Sequence, residues 1–97
     1  MAEEIAWLIE RQDPINPGCV TGDFLGLEGG CDDVRGYGKP AWVQSVGNAL
    51  RFLTRRDALM FAGFVQQMSD NLPGIFTLPG LRHGDLPPII ADHLWTD

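Results

Sequence analysis

TRRDALMFAGFVQQMS, residues Thr54 to Ser69, is the stretch that decides the fold. At about 100° per residue, Ala58, Met60, Phe61, Ala62, Phe64, Val65 and Met68 fall on one continuous apolar arc. Arg55, Arg56, Gly63, Gln66 and Gln67 take the other side. So broad a stripe predicts a helix lying on a sheet. Thr54 is placed to cap it, because its hydroxyl accepts a bond from the unsatisfied N–H groups of the first turn. Asp57 stands where a carboxylate favours the positive end of the helix dipole. Asn71 is expected in the left-handed conformation that ends many helices, and Pro73 cannot continue one. Three residues fit this scheme poorly. Leu59 falls in the polar arc, and Arg55 and Arg56 put cations at the end of the helix that disfavours them. Surface ion pairs within the domain are the ordinary explanation for the arginines. Contact with a partner is the functional one.

Outward from the helix the chain is strand-like. Ile5 to Arg11 is rich in β-branched and aromatic residues and is stopped by Asp13-Pro14 and Asn16-Pro17-Gly18. Ile5, Trp7 and Ile9 alternate with Ala6, Leu8 and Glu10, so both faces are partly apolar, as in a central strand. A short strand is expected at Cys19–Thr21 or at Phe24-Leu25. Glycines at 22, 26, 29, 30, 36 and 38 make about 22–40 a glycine-rich loop insertion. Ala41–Ser45 reads as a strand, Gly47-Asn48 as a turn, and Ala49–Leu53 as a further short strand or a helical turn. Gly74–Leu78 is β-like, Leu81–Pro88 a loop, and Pro88–Trp95 the last strand. Strands, one helix, then strands favour an α+β fold: an antiparallel sheet of about four to six short strands with one amphipathic helix on one face. Residues 1–97 fit a single domain.

Composition narrows the function classes. The formal charge is −6, with seven Lys and Arg against thirteen Asp and Glu. That supply of cations does not make the basic footprint of a duplex-binding protein. Asp23, Glu28, Asp32 and Asp33 lie close together in sequence, and they form a candidate contact surface for a basic partner. The start, Met-Ala-Glu-Glu-Ile, has no basic segment and no apolar core of a secretory signal. No apolar run has the length of a membrane span. A cytoplasmic, reducing compartment follows as the expectation, with Cys19 and Cys31 as free thiols.

Residues with catalytic potential are few. Cys19, Cys31, His83 and His93 are the ligand types of a tetrahedral zinc site, yet none forms the close pair such sites use. A Cys–His nucleophile pair needs hydrogen-bond contact that the spacing does not predict. Asp32-Asp33 lacks the order of a calcium loop, and the glycines build no phosphate-binding loop. Trp7, Trp42 and Trp95 lie in three predicted strands, where core packing is the common role of such residues. No cofactor is implied.

Trp7-Leu-Ile-Glu-Arg11, Trp42, Ala49-Leu-Arg-Phe52, the helix opening Thr54-Arg-Arg-Asp-Ala58 and His93-Leu-Trp95 together form a layout that resembles short bacteriophage- and prophage-encoded proteins of proteobacteria. The likeness omits residues 19–40 and 71–87, which look like insertions, and Asp92 stands where a glutamate is expected. It implies a fold and carries over no site residues. The resulting expectation is a non-enzymatic accessory protein that binds another protein, with an inhibitor of a host defence complex, anti-CRISPR-like, as its sharpest form. Asp23, Glu28, Asp32, Asp33, Arg55, Arg56 and Leu59 are the candidate contacts. A small metal- or thiol-dependent enzyme using Cys19, Cys31, His83 and His93 is one alternative. A structural or virion-associated protein is another.

Overall fold

A computed structural model describes residues 3–27, 39–72 and 78–96. In order they form β1 (Glu3–Gln12), β2 (Val20–Leu27), β3 (Pro40–Val43), a single 3₁₀ turn (Val46–Asn48), α1 (Arg55–Asn71) and β4 (Ile89–Thr96). The four strands make one antiparallel sheet in the order β3-β2-β1-β4, with α1 on one face. The α+β arrangement is the one the sequence predicts.

β1 is central. It pairs with β4 in one unbroken register from Glu3 opposite Thr96 to Glu10 opposite Ile89. Its alternation buries side chains on both faces. Ile9 lies under the helix in a cluster with Leu25, Ala58, Ala62, Val65, Leu78 and Leu81, and Trp7, Trp42, Phe52, Phe61, Met68 and Ile90 pack around it. Ala6 and Leu8 face the other way, against Phe24, Ala49 and Val43. Glu10 shares that second face and is also buried, with its Oε2 3.2 Å from His93 Nε2. The His93 ring meets Phe24 edge-on. His93 thus closes a polar pair inside the fold.

On its other side, β1 pairs with β2 at only one end. Glu10 faces Phe24 and Gln12 faces Val20, so two steps along β1 match four along β2. The surplus is a bulge around Gly22, whose φ of +92° suits glycine. Beyond it the two strands part and the segment 49–52 fills the gap. Leu50 N–H donates to Leu25 O at 2.9 Å, while Trp7 and Phe52 exchange bonds of 2.9 and 3.0 Å. This segment was expected as a short strand or a helical turn. Instead it makes isolated bridges at Ala49 and Phe52, because it serves two diverging neighbours. Glycines 22 and 26, expected in the loop insertion, belong to β2. The expected Gly74–Leu78 strand lies mostly outside the described residues, and Leu78 itself is buried but not in a strand.

Thr54 caps α1 as expected, its Oγ1 accepting from Asp57 N–H at 3.1 Å. The C-terminal expectation is corrected: Asn71 is still helical, and Leu72 ends the helix at φ −124° and ψ 51°, with its N–H on Met68 O. The side chains just inside that end tie down the following loop. Ser69 Oγ accepts from Leu78 N–H, and Asp70 Oδ1 accepts from His83 N–H. Ser69, a polar residue on the inner face, is buried for that reason.

Candidate protein-binding surface

The buried face of α1 is narrower than its apolar arc. Ala58, Ala62, Val65 and Ser69 point at the sheet, with Phe61 and Met68 half-buried beside them. Met60 and Phe64, which the periodicity assigns to the core side, are 64% and 57% exposed. They belong to a row with i, i+4 spacing, Arg56–Met60–Phe64, on the outer flank. A second row runs beside it, Arg55–Leu59–Gly63–Gln67, and Leu59 is 43% exposed. Of the three residues that fitted the sequence scheme poorly, Arg56 therefore adjoins Met60 and Leu59 lies in the next row, whereas Arg55, nine residues before Phe64, is on the opposite side of the helix from it.

Three observations characterise that surface. Phe64 is held, because its ring centroid is 6.5 Å from that of Phe61, which is 5.4 Å from that of Phe52 in the core. Gly63 is unexplained by internal packing: a methyl group added there meets nothing within 4 Å. Glycine inside a helix costs about 1 kcal/mol relative to alanine, and here it leaves a gap in the side-chain cover between Leu59 and Gln67. Arg55 and Arg56 are exposed, and their side chains form no ion pair or hydrogen bond among the described residues. On the same side of the sheet, Ile5 and Leu94 stand opposite each other, 57% and 65% exposed.

The remaining predicted site residues are dispersed. Asp23 sits at the β2 bulge, where its carboxylate accepts from Thr21 Oγ1 at 2.9 Å. Glu28, Asp32, Asp33 and Cys31 lie outside the described residues. Cys19 is exposed in the β1–β2 connection. His83 is exposed in the loop that Asp70 holds, and His93 is half-buried against Glu10. Among the described residues no three His, Cys, Asp or Glu side chains converge on a possible metal position. Trp7 and Trp42 pack on the core as expected, and Trp42 Nε1 donates to Pro79 O at 2.6 Å.

The sequence reading missed Met60 and Phe64 because hydrophobic periodicity marks apolar positions without saying how far the covering sheet extends. Gly63 was visible as a glycine in a helix interior, which is a signal in itself. No family model, curated protein or solved structure matches the chain.

Proposed function

We propose that the chain is a non-enzymatic accessory protein of phage or prophage type that acts by binding another protein through the outer flank of α1. The observation that carries this reading is the exposure of Met60 and Phe64 beside the open position at Gly63. An aromatic residue seated against its own core, yet more than half exposed, has already lost much of its rotamer freedom. Such residues are frequent anchors of protein interfaces. Gly63 lets a partner approach the helix backbone. Arg55 and Arg56, without a side-chain partner among the described residues, put cations at the N-terminal end of α1. The matching surface is an apolar groove with carboxylates at one side. An inhibitor of a host defence complex, anti-CRISPR-like, is the sharpest form of the proposal. Plaquing of a targeted phage on a defence-active host, with and without the chain expressed, tests that form directly.

The surface itself is tested by affinity capture from host lysate with the wild-type chain, with Phe64→Asp, and with charge reversal at Asp23, Glu28, Asp32 and Asp33. Phe64→Asp is expected to weaken capture of the specific partner at least about thirtyfold, the effect of losing an anchor of about 2 kcal/mol. Its melting temperature should stay near wild type, because the side chain is already largely wet. Equal capture by wild type and Phe64→Asp removes the α1 surface from the proposal. Loss with the charge reversals alone transfers the role to the acidic segment.

Gly63→Ala separates folding from binding. It is expected to stabilise the free domain by about 0.5–1 kcal/mol, raising the melting temperature by roughly 2–8 °C. It should also weaken partner capture by filling the gap. Thermal unfolding and the same capture assay read the two effects. A stabilised variant that binds as well as wild type means that nothing approaches the helix at that position.

A further inference from the structure

Away from α1, the loop 78–88 and the end of β1 enclose a pocket of about 120 Å³ lined by Arg11, Gln12, Pro14, Gly80, Arg82, Asp85 and Leu86. Most of its polar groups are already committed. Asp85 Oδ2 accepts from Gly80 N–H at 2.9 Å, from Arg82 N–H at 3.3 Å and from Arg82 Nε at 2.9 Å. Arg82 Nη2 reaches Asp85 Oδ1 at 3.4 Å. The hydrogen bond and charge of Arg82 hold the Asp85 carboxyl below the usual carboxylate range. The Gln12 amide donates to Pro87 O and accepts from Gly18 N–H.

Arg11 is the exception. Its Nε is shut off from solvent and has no hydrogen-bond partner, the one such buried side-chain atom among the described residues. The stem packs closely on Gly80: a Cβ built there would lie 3.2 Å from both Arg11 Cγ and Nε, and 3.3 Å from the Trp42 ring. Gly80, at φ +91°, is what allows this close packing. An unsatisfied, buried guanidinium N–H is costly to leave unmade. Arg82 is balanced by Asp85; the exposed Asp13 carboxylate, held by Ile15 N–H and the Asn16 amide, feels the Arg11 charge but forms no ion pair with it, so the lining itself carries one net positive charge, on a chain whose own net charge is −6.

We infer that this pocket binds a carboxylate with a short apolar body, anchored on the Arg11 guanidinium. A carboxylate matches the one cation of the lining that has no ion pair, and it presents two oxygens to the planar fork of donors that arginine offers. The guanidinium must turn toward the pocket, and that turn breaks no existing bond. Pro14 and Leu86 supply apolar wall for a short alkyl chain. Neither the α1 surface nor its partner enters into this site, so the two proposals fail independently.

The test is titration of the ¹⁵N-labelled protein with sodium butyrate, sodium acetate and inorganic phosphate, following the Arg11 Nε–Hε resonance and the Gly80 amide. Butyrate is expected to shift both saturably, with a dissociation constant on the order of 1 mM. It should bind roughly three- to tenfold tighter than acetate, because it adds two methylenes against the apolar wall. Arg11→Met should abolish the response, and Arg11→Lys should weaken it at least about tenfold because a point charge replaces the fork. A short peptide with a free C-terminus, set against its amidated form, distinguishes a chain terminus from a free acid as the source of the carboxylate. No saturable shift, tighter binding of phosphate than of butyrate, or an undiminished response in either Arg11 variant overturns the inference.

Discussion

Ile9→Ala should lower the unfolding free energy by about 2–5 kcal/mol and the melting temperature by on the order of 10–30 °C. Ile9 has no exposed surface and sits mid-strand in β1, opposite Ile90 and within the cluster that includes Ala58, Ala62 and Val65. The strand carries hydrogen-bonded neighbours on both sides, so it cannot move to fill the space that a missing side chain leaves. The lost transfer energy and the cavity both count. Leu53→Ala removes a similar volume from a residue that is 86% exposed, and should stay within about 0.5 kcal/mol of wild type. Urea unfolding of the pair measures the contrast. Similar midpoints for the two variants mean that the cluster under α1 is not the main core.

Gly26→Ala is the second large effect, expected to cost about 1–3 kcal/mol by adding only a methyl group. That methyl would lie 2.7 Å from Asn48 O and 2.9 Å from Val43 Cγ2. One obstacle is backbone and the other is a side chain on the paired strand β3, so neither yields easily. The contact breaks where segment 49–52 joins β2, at the Gly26–Ala49 bridge and the Leu50–Leu25 bond. Hydrogen exchange at the Leu50 amide should accelerate with the loss of stability. The same substitution thus has opposite signs at two glycines, destabilising at Gly26 and stabilising at Gly63. Unchanged stability at Gly26 means that segment 49–52 does not hold the position described.

Such contrasts show what could be read without the structure. β1, β3, α1 and β4 were legible because each has local causes: alternation in Ile5–Arg11, β-branched residues before Trp95, a capping threonine at 54. The two-faced burial of β1 was legible for the same reason. β2 was obscured by Gly22 and Gly26, whose presence reflects a bulge and a close approach to a distant carbonyl. Neither cause is local. The helix surface was half legible. Arg55, Arg56 and Leu59 drew attention by breaking a pattern, whereas Met60 and Phe64 obeyed it and were assigned to the core. Arg11 gave no signal, because its missing hydrogen bond exists only once Gly80 packs against its stem.

The pairing of β1 with β4 has a consequence for biosynthesis. Glu3–Gln12 is made before its neighbour on one side, Ile89–Thr96, with residues 13–88 synthesised between them. At roughly 5–20 residues per second, the first strand spends several seconds beside the ribosome with that side unpaired. The edge hydrogen bonds on that side cannot form until β4 has emerged. Slowing translation between β1 and β4 lengthens the time that this edge stays open, and should lower the soluble yield more than slowing it within β1.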